Sequence, residues 1–324
     1  MSRGDHYRRL LAAYALGLPS HLDFWHETPQ IHPDATCEKL GPYYMAYRKK
    51  SAYRGPFDGE GIPLLNYRGA IGLRHNPIAA AQYGLSQYNR YCEAGSPEAR
   101  RKFLTVADWL CRRLTRNQKG VDVWSHEFLW PYRQGLQPPW ASALAQGQGI
   151  SVLVRAARVT QEGRYQEAAG RALAAFTRPV QEGGVVISDG EDGLWLEEYL
   201  VEPPSHILNG AISAAWGLFD YGLATGDATA KKLFGQSVCT LARNLSRYDA
   251  GFWSLYELPS DGIAASPASP FYHRLHIVQL EILFRMTGEP IFDQTAARWE
   301  EYRRSFRNRM LALWRKGLFK LRYY

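Results

Sequence analysis

The stretch "ASALAQGQGISVLVRAARVTQ" at residues 141–161, followed by "GRYQEAAGRALAAFTRPV" at residues 163–180, decides the fold class. Both segments carry apolar residues at helical spacing, and an "EG" turn separates them. The pattern predicts two helices that pack against each other as an antiparallel hairpin.

The same pattern recurs twice towards the C-terminus. Residues 205–226 and 227–245 are predicted to form a second pair, again with a glycine in the turn. A third pair is predicted from about His273 to Thr287 and from Pro290 to about Leu313. Recurring helical hairpins without long strands predict a mainly α protein, an α/α barrel (toroid).

Other local signals complete this prediction. Asn76 before Pro77 and Ser96 before Pro97 are typical helix N-caps. Residues 183–200 and 248–262 combine alternating apolar residues with Gly/Asp turns, which predicts short β-hairpin excursions at the rim of the barrel.

The predicted domain organisation has three parts. Residues 1–60 form an N-terminal arm with a short helix and a β-hairpin, residues 61–305 form the barrel, and residues 306–324 form a basic amphipathic extension. Residues 1–25 lack a clear small-residue cleavage site, so a short helix is favoured over a signal peptide and a cytoplasmic location is expected.

Composition and cysteine usage exclude several classes of protein. The four cysteines form no CxxC pair, which indicates neither a zinc cluster nor a disulfide framework. No apolar run approaches the roughly 20 residues that span a bilayer. The aromatic content of 13% suits either a sugar-binding platform or a tyrosine-rich core.

The net charge of +8 is concentrated at the C-terminal end. Residues 301–324 hold eight Lys or Arg and one Glu, so the rest of the chain is nearly neutral and nucleic-acid binding is not indicated. If this region is helical, an apolar stripe runs along one side of the helix and the arginines lie on the opposite side. The stripe comprises Tyr302, Phe306, Met310 and Leu313. A basic amphipathic helix of this kind can bind an anionic membrane surface or an anionic polymer, so residues 306–324 are a candidate for membrane-surface contact. The alternative is that the apolar stripe packs against the barrel, which is favoured for the first half of the helix and left open for the last ten residues.

Five blocks of the chain resemble, in order, the C-terminal domain of the D-glucuronyl C5-epimerases. They are "NPIAAAQYGLSQYNRY", "GLQPPWASALAQGQGISVLVRAARVT", "WLEEYLVEPPSHILNGAISAAWGLFDY", "SLYELP" and "YHRLHIVQLEIL". The resemblance implies an α/α toroid, a uronic-acid polymer as substrate, no redox cofactor and a homodimer. Two positions depart from the family. Tyr256 is followed by "ELPS" where animal members have "YDLRH", so an arginine is absent, and Val278 stands where the family often has Asn.

Inversion at C5 of a uronate requires removal of a proton next to a carboxylate and return of another to the opposite face. The site must also stabilise the enolate-like intermediate. The resemblance implies Glu198 and Tyr272 as the two proton-transfer groups, with Tyr199 and Tyr256 as further catalytic residues. An apolar frame around Glu198 would raise its pKa from about 4.3 towards working pH, and nearby cations or histidines would lower that of Tyr272 from about 10.

Alternation along an extended segment would place Glu198 and Tyr199 on opposite faces. A bulge or turn before Pro203 is therefore expected if both side chains are to reach one substrate.

The predicted substrate-binding residues are Tyr44, Tyr47, Lys49, Trp140, Gln146, Asn209, His273 and His276. Several have structural alternatives: Gln146 lies in a glycine-rich segment suited to helix packing, the arm may equally be a solvated hairpin, and the two histidines suit a core. No metal site is predicted, because the histidines lack a third ligand. A polysaccharide lyase on the same scaffold and a non-catalytic binding protein for an acidic glycan are the alternative functions.

Overall fold

The computed structural model describes residues 8, 11–18, 24, 27–67, 69–133, 135–190, 192–259 and 264–323. The chain divides into two compact units, which are interleaved along the sequence. The terminal unit holds Met1–Ile31, Ile207–Asn209 and Leu241–Tyr324, and the middle unit holds His32–His206 and Gly210–Thr240. The domain boundaries at residues 60 and 305 stay predictions.

Helices dominate both units. In chain order they are α1 (Arg48–Ser51), α2 (Pro77–Ala94), α3 (Pro97–Arg113), α4 (Ala143–Thr160), α5 (Gly163–Leu173), α6 (Leu208–Thr225), α7 (Ala228–Asn244), α8 (Pro270–Thr287), α9 (Pro290–Arg304) and α10 (Phe306–Tyr323). The predicted pairs α4–α5, α6–α7 and α8–α9 are therefore present, and α2–α3 forms a fourth.

Each of these four pairs turns through a loop of two residues. The first loop residue is Gly95, Gln161, Gly226 or Gly288, and its φ lies between 61° and 76°. This left-handed residue after the last helical turn ends the helix, and glycine adopts it without a steric cost. The shared turn geometry gives the chain its regular hairpins.

The predicted N-caps are confirmed. The side chain of Asn76 accepts a hydrogen bond from Ala79 N at 3.1 Å, and that of Ser96 accepts from Ala99 N at 3.3 Å. Each cap satisfies one of the amide groups that the first helical turn leaves unpaired.

Glycines allow α4 and α6 to approach closely. A Cβ added to Gly147 would lie 2.6 Å from the Cα of Ala214, so only glycine fits there. On the same helix, a Cβ added to Gly149 would overlap the ring of Trp124. The glycine-rich segment is thus a packing segment, as predicted.

Among the described residues of the middle unit, three antiparallel two-stranded sheets interrupt the helices. They pair β1 (Leu64–Asn66) with β2 (Leu73–His75), β3 (Thr115–Arg116) with β4 (Asp122–Val123), and β5 (Val186–Ser188) with β6 (Leu194–Leu196). The excursion predicted at residues 183–200 is confirmed. In the described part of 248–262, the pairing consists of single antiparallel bridges such as that of Asp249 with Ser254, so the excursion there is shorter than a two-stranded sheet.

The predicted arm differs from expectation. Residues 27–60, all described, contain α1 but none of the strands, and a single antiparallel bridge joins Phe57 to Pro63 at the end of this segment. Tyr43, Tyr44 and Tyr47 are buried rather than presented on a solvated arm. Of the predicted N-terminal helix, residues 11–15 are helical, and residues 1–7, 9 and 10 lie outside the described residues.

A buried ion pair explains why this segment is drawn into the core of the middle unit. Arg155 Nη1 lies 2.5 Å from Asp220 Oδ2, and Tyr44 donates its hydroxyl proton to Asp220 Oδ1 at 2.6 Å. The Arg155 guanidinium lies 5.3 Å from the ring centroid of Tyr43. A charge pair in the interior needs such additional partners to offset its loss of hydration.

In the terminal unit the last predicted helix is broken. α9 ends at Arg304, and Ser305 adopts an extended conformation before α10 begins at Phe306. The Ser305 hydroxyl accepts a hydrogen bond from Asn308 N at 3.3 Å, so it caps the new helix. The stripe predicted from Tyr302 to Leu313 on one helix is therefore divided between two, and Phe306 is exposed.

Candidate active site

Glu198 lies where the strand β6 has ended. The three residues of β6 are buried, and the pairing with β5 stops at Leu196. Next along the chain, Glu197 donates its amide proton to Val185 O at 2.9 Å and accepts from Ala143 N at 2.9 Å. The backbone then bends at Glu198 and Tyr199. The expected bend before Pro203 is therefore present. Because the strand has ended, the alternation of side chains between its two faces does not apply to Glu198 and Tyr199.

The first turn of α6 packs directly against Glu198. The Glu198 side chain is 5% exposed. A Cβ added to Gly210 would lie 2.7 Å from the Cβ of Glu198 and 3.0 Å from its carboxyl carbon. Glycine at 210 is thus what allows the carboxylate to lie at the N-terminal turn of a helix, an end that favours negative charge.

The neighbouring Glu197 has a different environment, which the sequence did not reveal. It is buried, and its Oε1 lies 2.5 Å from Nδ1 of His206, while Oε2 accepts from the His206 amide at 3.2 Å. The His206 ring stacks on Trp195 with centroids 4.2 Å apart. Since two groups of His206 engage Glu197, the pair fixes the loop that leads into α6. The only sequence signal was the histidine two residues after the Pro203–Pro204 pair.

An aromatic cluster of the middle unit lies around Tyr199. It comprises Tyr67, Phe128, Trp130, Tyr132, Trp140 and Tyr199. The Tyr199 ring centroid lies 4.5 Å from that of Tyr132 and 5.8 Å from that of Trp140. Tyr199 and Trp140, predicted separately, are therefore brought together.

The remaining four aromatic residues were missed by the sequence reasoning. Three of them come from the stretch "WSHEFLWPYRQGLQPPW" at residues 124–140, whose density of aromatic side chains is the signal that could have found them. Half-buried rings such as Tyr67, Tyr132 and Tyr199 present apolar surface with a polar edge. This is the composition of a small-molecule or sugar site.

A cation lies beside this cluster. Arg133 donates from Nη1 to Pro203 O at 2.6 Å, and its guanidinium lies 5.5 Å from the ring centroid of Tyr132. The contact joins the aromatic stretch to the segment that follows Tyr199. Arg133 was not predicted from the sequence.

Tyr256 and Tyr272 are brought together within the terminal unit. Their rings meet edge to face with centroids 4.7 Å apart, and both are half-buried. Ser269 caps α8 by accepting from Tyr272 N at 3.3 Å, so Tyr272 belongs to the first turn of the helix. The Tyr256 amide donates to Ser266 O at 2.9 Å.

His273 and His276 lie in the core of the terminal unit and have no exposed surface. The Ser254 hydroxyl lies 2.8 Å from Nδ1 of His273 and 3.0 Å from Nδ1 of His276. Nε2 of His273 donates to Trp299 O at 3.0 Å. One consistent arrangement has the His276 ring donating to Ser254 and Ser254 donating to His273, with both rings neutral.

Burial decides the charge of these histidines. It lowers the pKa of His276 to about 3 and that of His273 well below its ordinary value. Both rings are therefore uncharged near neutral pH, because a buried imidazolium lacks hydration. The expectation that histidines supply positive charge to Tyr272 is corrected accordingly.

The other predicted binding residues have varied surroundings. Tyr44 is held by Asp220, and Gln148 donates to the hydroxyl of Tyr47 at 3.3 Å. Gln146 is fully buried, whereas Lys49 is exposed. In the terminal unit, the carbonyl of Asn209 accepts from Gln279 Nε2 at 2.9 Å. A substrate contact of these residues stays a prediction.

Comparison with known proteins assigns the family. The family model of the D-glucuronyl C5-epimerase C-terminus matches residues 118–301. The chain therefore belongs to this family, as the five sequence blocks predicted. It is accordingly grouped with the carbohydrate epimerases, a class of isomerase.

Two relatives illustrate the range of this similarity. An uncharacterized protein of Methanocaldococcus jannaschii is 29% identical over 240 residues, which cover 70% of this chain and 76% of that protein. A D-glucuronyl C5-epimerase of Caenorhabditis elegans is 32% identical over 219 residues, which cover 62% of this chain. The match spans 34% of the nematode protein, about a third of its length.

The fold has a solved counterpart. The structure of cellobiose 2-epimerase from Spirochaeta thermophila DSM 6192 matches with a TM-score of 0.52 and 18% sequence identity. The match covers 72% of this chain and 62% of that chain. It confirms the predicted fold class, an α/α barrel of antiparallel helical hairpins with short strand pairs.

Two features are absent from the part of the chain that the structure describes. There, no helix has the length and apolar character needed to cross a bilayer. Among the same residues, no three side chains of His, Cys, Asp or Glu gather as metal ligands would.

Proposed function

We propose that the protein is a uronic acid C5-epimerase that converts D-glucuronate to L-iduronate residues within a polysaccharide. The observation that carries the proposal is the buried carboxylate of Glu198 against Gly210, next in the chain to a tyrosine of the aromatic cluster. Family membership supports the same reaction.

In the proposed reaction Glu198 takes the C5 proton as general base. The electron pair left on C5 delocalises into the sugar carboxylate, and a proton returns to the opposite face of C5. A general base must be held at a fixed position against the proton that it takes, and Glu198 is buried against the first turn of α6. The family resemblance supports Tyr272 as the donor of the second proton, with Tyr199 and Tyr256 as further catalytic groups.

The negative charge of the intermediate needs a fixed cation. Arg133 is our proposal for this role, because its guanidinium flanks Tyr132 and its fork geometry suits a carboxylate. It would serve where the arginine of the animal "YDLRH" block is absent. The aromatic rings near it would stack on the sugar and orient C5.

The substrate we propose is a glucuronate-containing chain of the heparosan type, with the protein acting as a homodimer in the cytoplasm. The family resemblance supports the polymer and the dimer. After Tyr256 this chain has "ELPS" and lacks the arginine of the animal "YDLRH" block. The test therefore compares several glucuronate polymers.

The test is proton exchange at C5, followed by NMR in D₂O. The protein is incubated with heparosan and with other glucuronate polymers, and deuterium at C5 with growing iduronate signals is expected on at least one. Glu198→Gln and Tyr272→Phe should each nearly abolish exchange and leave the circular-dichroism spectrum unchanged. Glu182→Gln, at an exposed carboxylate, is the matched control and should retain activity.

Other outcomes distinguish the alternatives. Exchange with chain cleavage and new absorbance from an unsaturated uronate would identify a lyase, in which the same carbanion expels the substituent at C4. Binding of polymer without exchange would identify a glycan-binding protein. Near-normal exchange in both Glu198→Gln and Tyr272→Phe would refute the assignment of the two groups.

A further inference from the structure

The last helix, α10, exposes large apolar side chains. They are Phe306, Trp314, Leu318 and Leu321, and their exposure ranges from 45% for Leu318 to 85% for Leu321. At 100° per residue these four positions fall within an arc of about 120° on one side of the helix. Ala312, by contrast, is fully buried against the core of the terminal unit. α10 thus packs on one side and presents an apolar strip on the other.

The charges of α10 are all positive. The helix contains six Arg or Lys and no Asp or Glu. Arg307, Arg315 and Arg322 are exposed beside the apolar strip, and Arg315 lies 5.7 Å from the ring centroid of Trp314.

The two inward cations of α10 have a packing role instead. Lys316 donates to Ser266 Oγ at 2.6 Å and to Pro267 O at 2.7 Å. Arg309 donates from Nε to Tyr14 O at 2.8 Å. These contacts anchor the helix, so the exposed strip is held on a fixed element of the terminal unit.

The segment that Arg309 contacts adds further apolar surface. Arg309 also donates to Ala15 O at 3.3 Å, and the same segment exposes Leu11, Leu16 and Leu18. Exposed leucines therefore occur on two neighbouring segments of this unit. Clusters of exposed apolar residues on a soluble surface commonly mark an interaction site.

We propose that the exposed face of α10 binds the surface of an anionic lipid membrane, with the helix lying in the interfacial plane. Trp and Leu side chains would enter the boundary of the acyl chains, and Arg307, Arg315 and Arg322 would meet the lipid phosphates. This inference stands on α10 alone and does not depend on the epimerase proposal.

Charge argues against two other occupants. A second copy meeting this face would bring the same arginines together, which is unfavourable. An acidic polysaccharide would satisfy the arginines but would leave the apolar strip in water. A surface with both anionic headgroups and an apolar interior satisfies both features.

The test is sedimentation of the full chain with vesicles. One vesicle type contains phosphatidylcholine and phosphatidylglycerol in equal parts, and the other contains phosphatidylcholine alone. Strong binding to the anionic vesicles that weakens with added salt is expected. The triple variant Trp314→Ser, Leu318→Ser, Leu321→Ser should bind about a hundredfold more weakly, where each tenfold corresponds to 1.4 kcal/mol.

A matched control is available in the middle unit. Leu129 is 47% exposed, close to the 45% of Leu318, and Leu129→Ser should bind vesicles as the unchanged protein does. Circular dichroism of the triple variant should be unchanged, because the three side chains are exposed.

Four results would overturn the proposal. They are failure of the protein to bind anionic vesicles, equal binding by the triple variant, an equal loss in Leu129→Ser, and a dimer in sedimentation velocity that the triple variant converts to monomer. Binding of heparosan without lipid, if weakened by the same triple variant, would assign the face to the polymer instead.

Discussion

The substitution Gly210→Ala tests whether the position of Glu198 matters for the reaction. Its new Cβ would lie 2.7 Å from the Cβ of Glu198 and 3.0 Å from the carboxyl carbon. The carboxylate oxygen Oε2 of Glu198 would lie closer still. Carbon atoms in contact are about 3.5 Å apart, so Glu198 has to move by about 0.8 Å at its Cβ and by more at its carboxylate. The change leaves the chemistry of the carboxyl group untouched and alters only its location.

The expected effect is large on rate and small on stability. A displacement of about 1 Å at a catalytic group costs on the order of a hundredfold in rate, or about 2.7 kcal/mol of transition-state stabilisation. Overpacking costs about 1–3 kcal/mol of folding free energy, and the better helix propensity of alanine offsets about 0.8–1 kcal/mol of it. The protein should therefore remain folded while its turnover falls.

The assay is C5 proton exchange on a polymer that the unchanged protein accepts, with kcat and KM measured separately. We expect kcat to fall and KM to change less, because a base acts on the transition state. Gly235→Ala is the control: Gly235 lies within α7 and has nothing within 4 Å of the added Cβ. A folded Gly210→Ala protein with the unchanged exchange rate would refute a catalytic role that depends on the location of Glu198.

Three further predictions concern binding and stability. Arg133→Gln should lower kcat/KM for the polymer by about tenfold or more, with part of the loss in kcat, since a hydrogen bond to a charged group contributes about 1.5–3 kcal/mol; an unchanged kcat/KM would contradict a cation that stabilises the intermediate. Asp220→Ala should lower the free energy of unfolding in urea by about 3–5 kcal/mol, because it leaves the charge of Arg155 buried without its partner; a loss under 1 kcal/mol would contradict this. Between pH 6.5 and pH 3 the unfolded chain takes up a proton at His276 that the native protein does not, because burial lowers the native pKa to about 3. Stability should therefore fall with falling pH, by about 1.4 kcal/mol per unit from this residue, and His276→Gln should show a shallower loss in urea titrations at pH 7 and pH 5.

The helical hairpins could be predicted because their signals are local. Asn76 and Ser96 cap their helices with their own side chains, and a residue of left-handed conformation ends each first helix of a pair. Such contacts join residues three or four positions apart, so the pattern appears directly in the sequence.

The break after Arg304 shows where the local signal is too weak. Ser305 can cap a helix or continue one, and the apolar spacing from Tyr302 to Leu313 suits a single helix equally well. Packing of Ala312 and the contacts of Arg309 with the segment around Tyr14 accompany the break. These contacts join residues nearly 300 positions apart, which no local pattern encodes.

For the candidate site, too, the sequence predicted some features and only the tertiary structure revealed others. The family resemblance pointed to Glu198, Tyr199, Tyr256 and Tyr272 as candidates for proton transfer, but not to their neighbours. Tertiary structure revealed that Glu198 rests on Gly210, and that Tyr132 and Arg133 gather beside Tyr199.

By itself, the sequence determined the helical hairpins, their caps, the close glycine contacts and the family, because these depend on spacing and residue type within short segments. Only the tertiary structure decided which side chains are buried and charged. It placed Tyr44 on the buried pair of Arg155 and Asp220, and it left His273 and His276 neutral in a core. Burial and charge depend on partners from distant parts of the chain, and those partners meet only when the chain has folded.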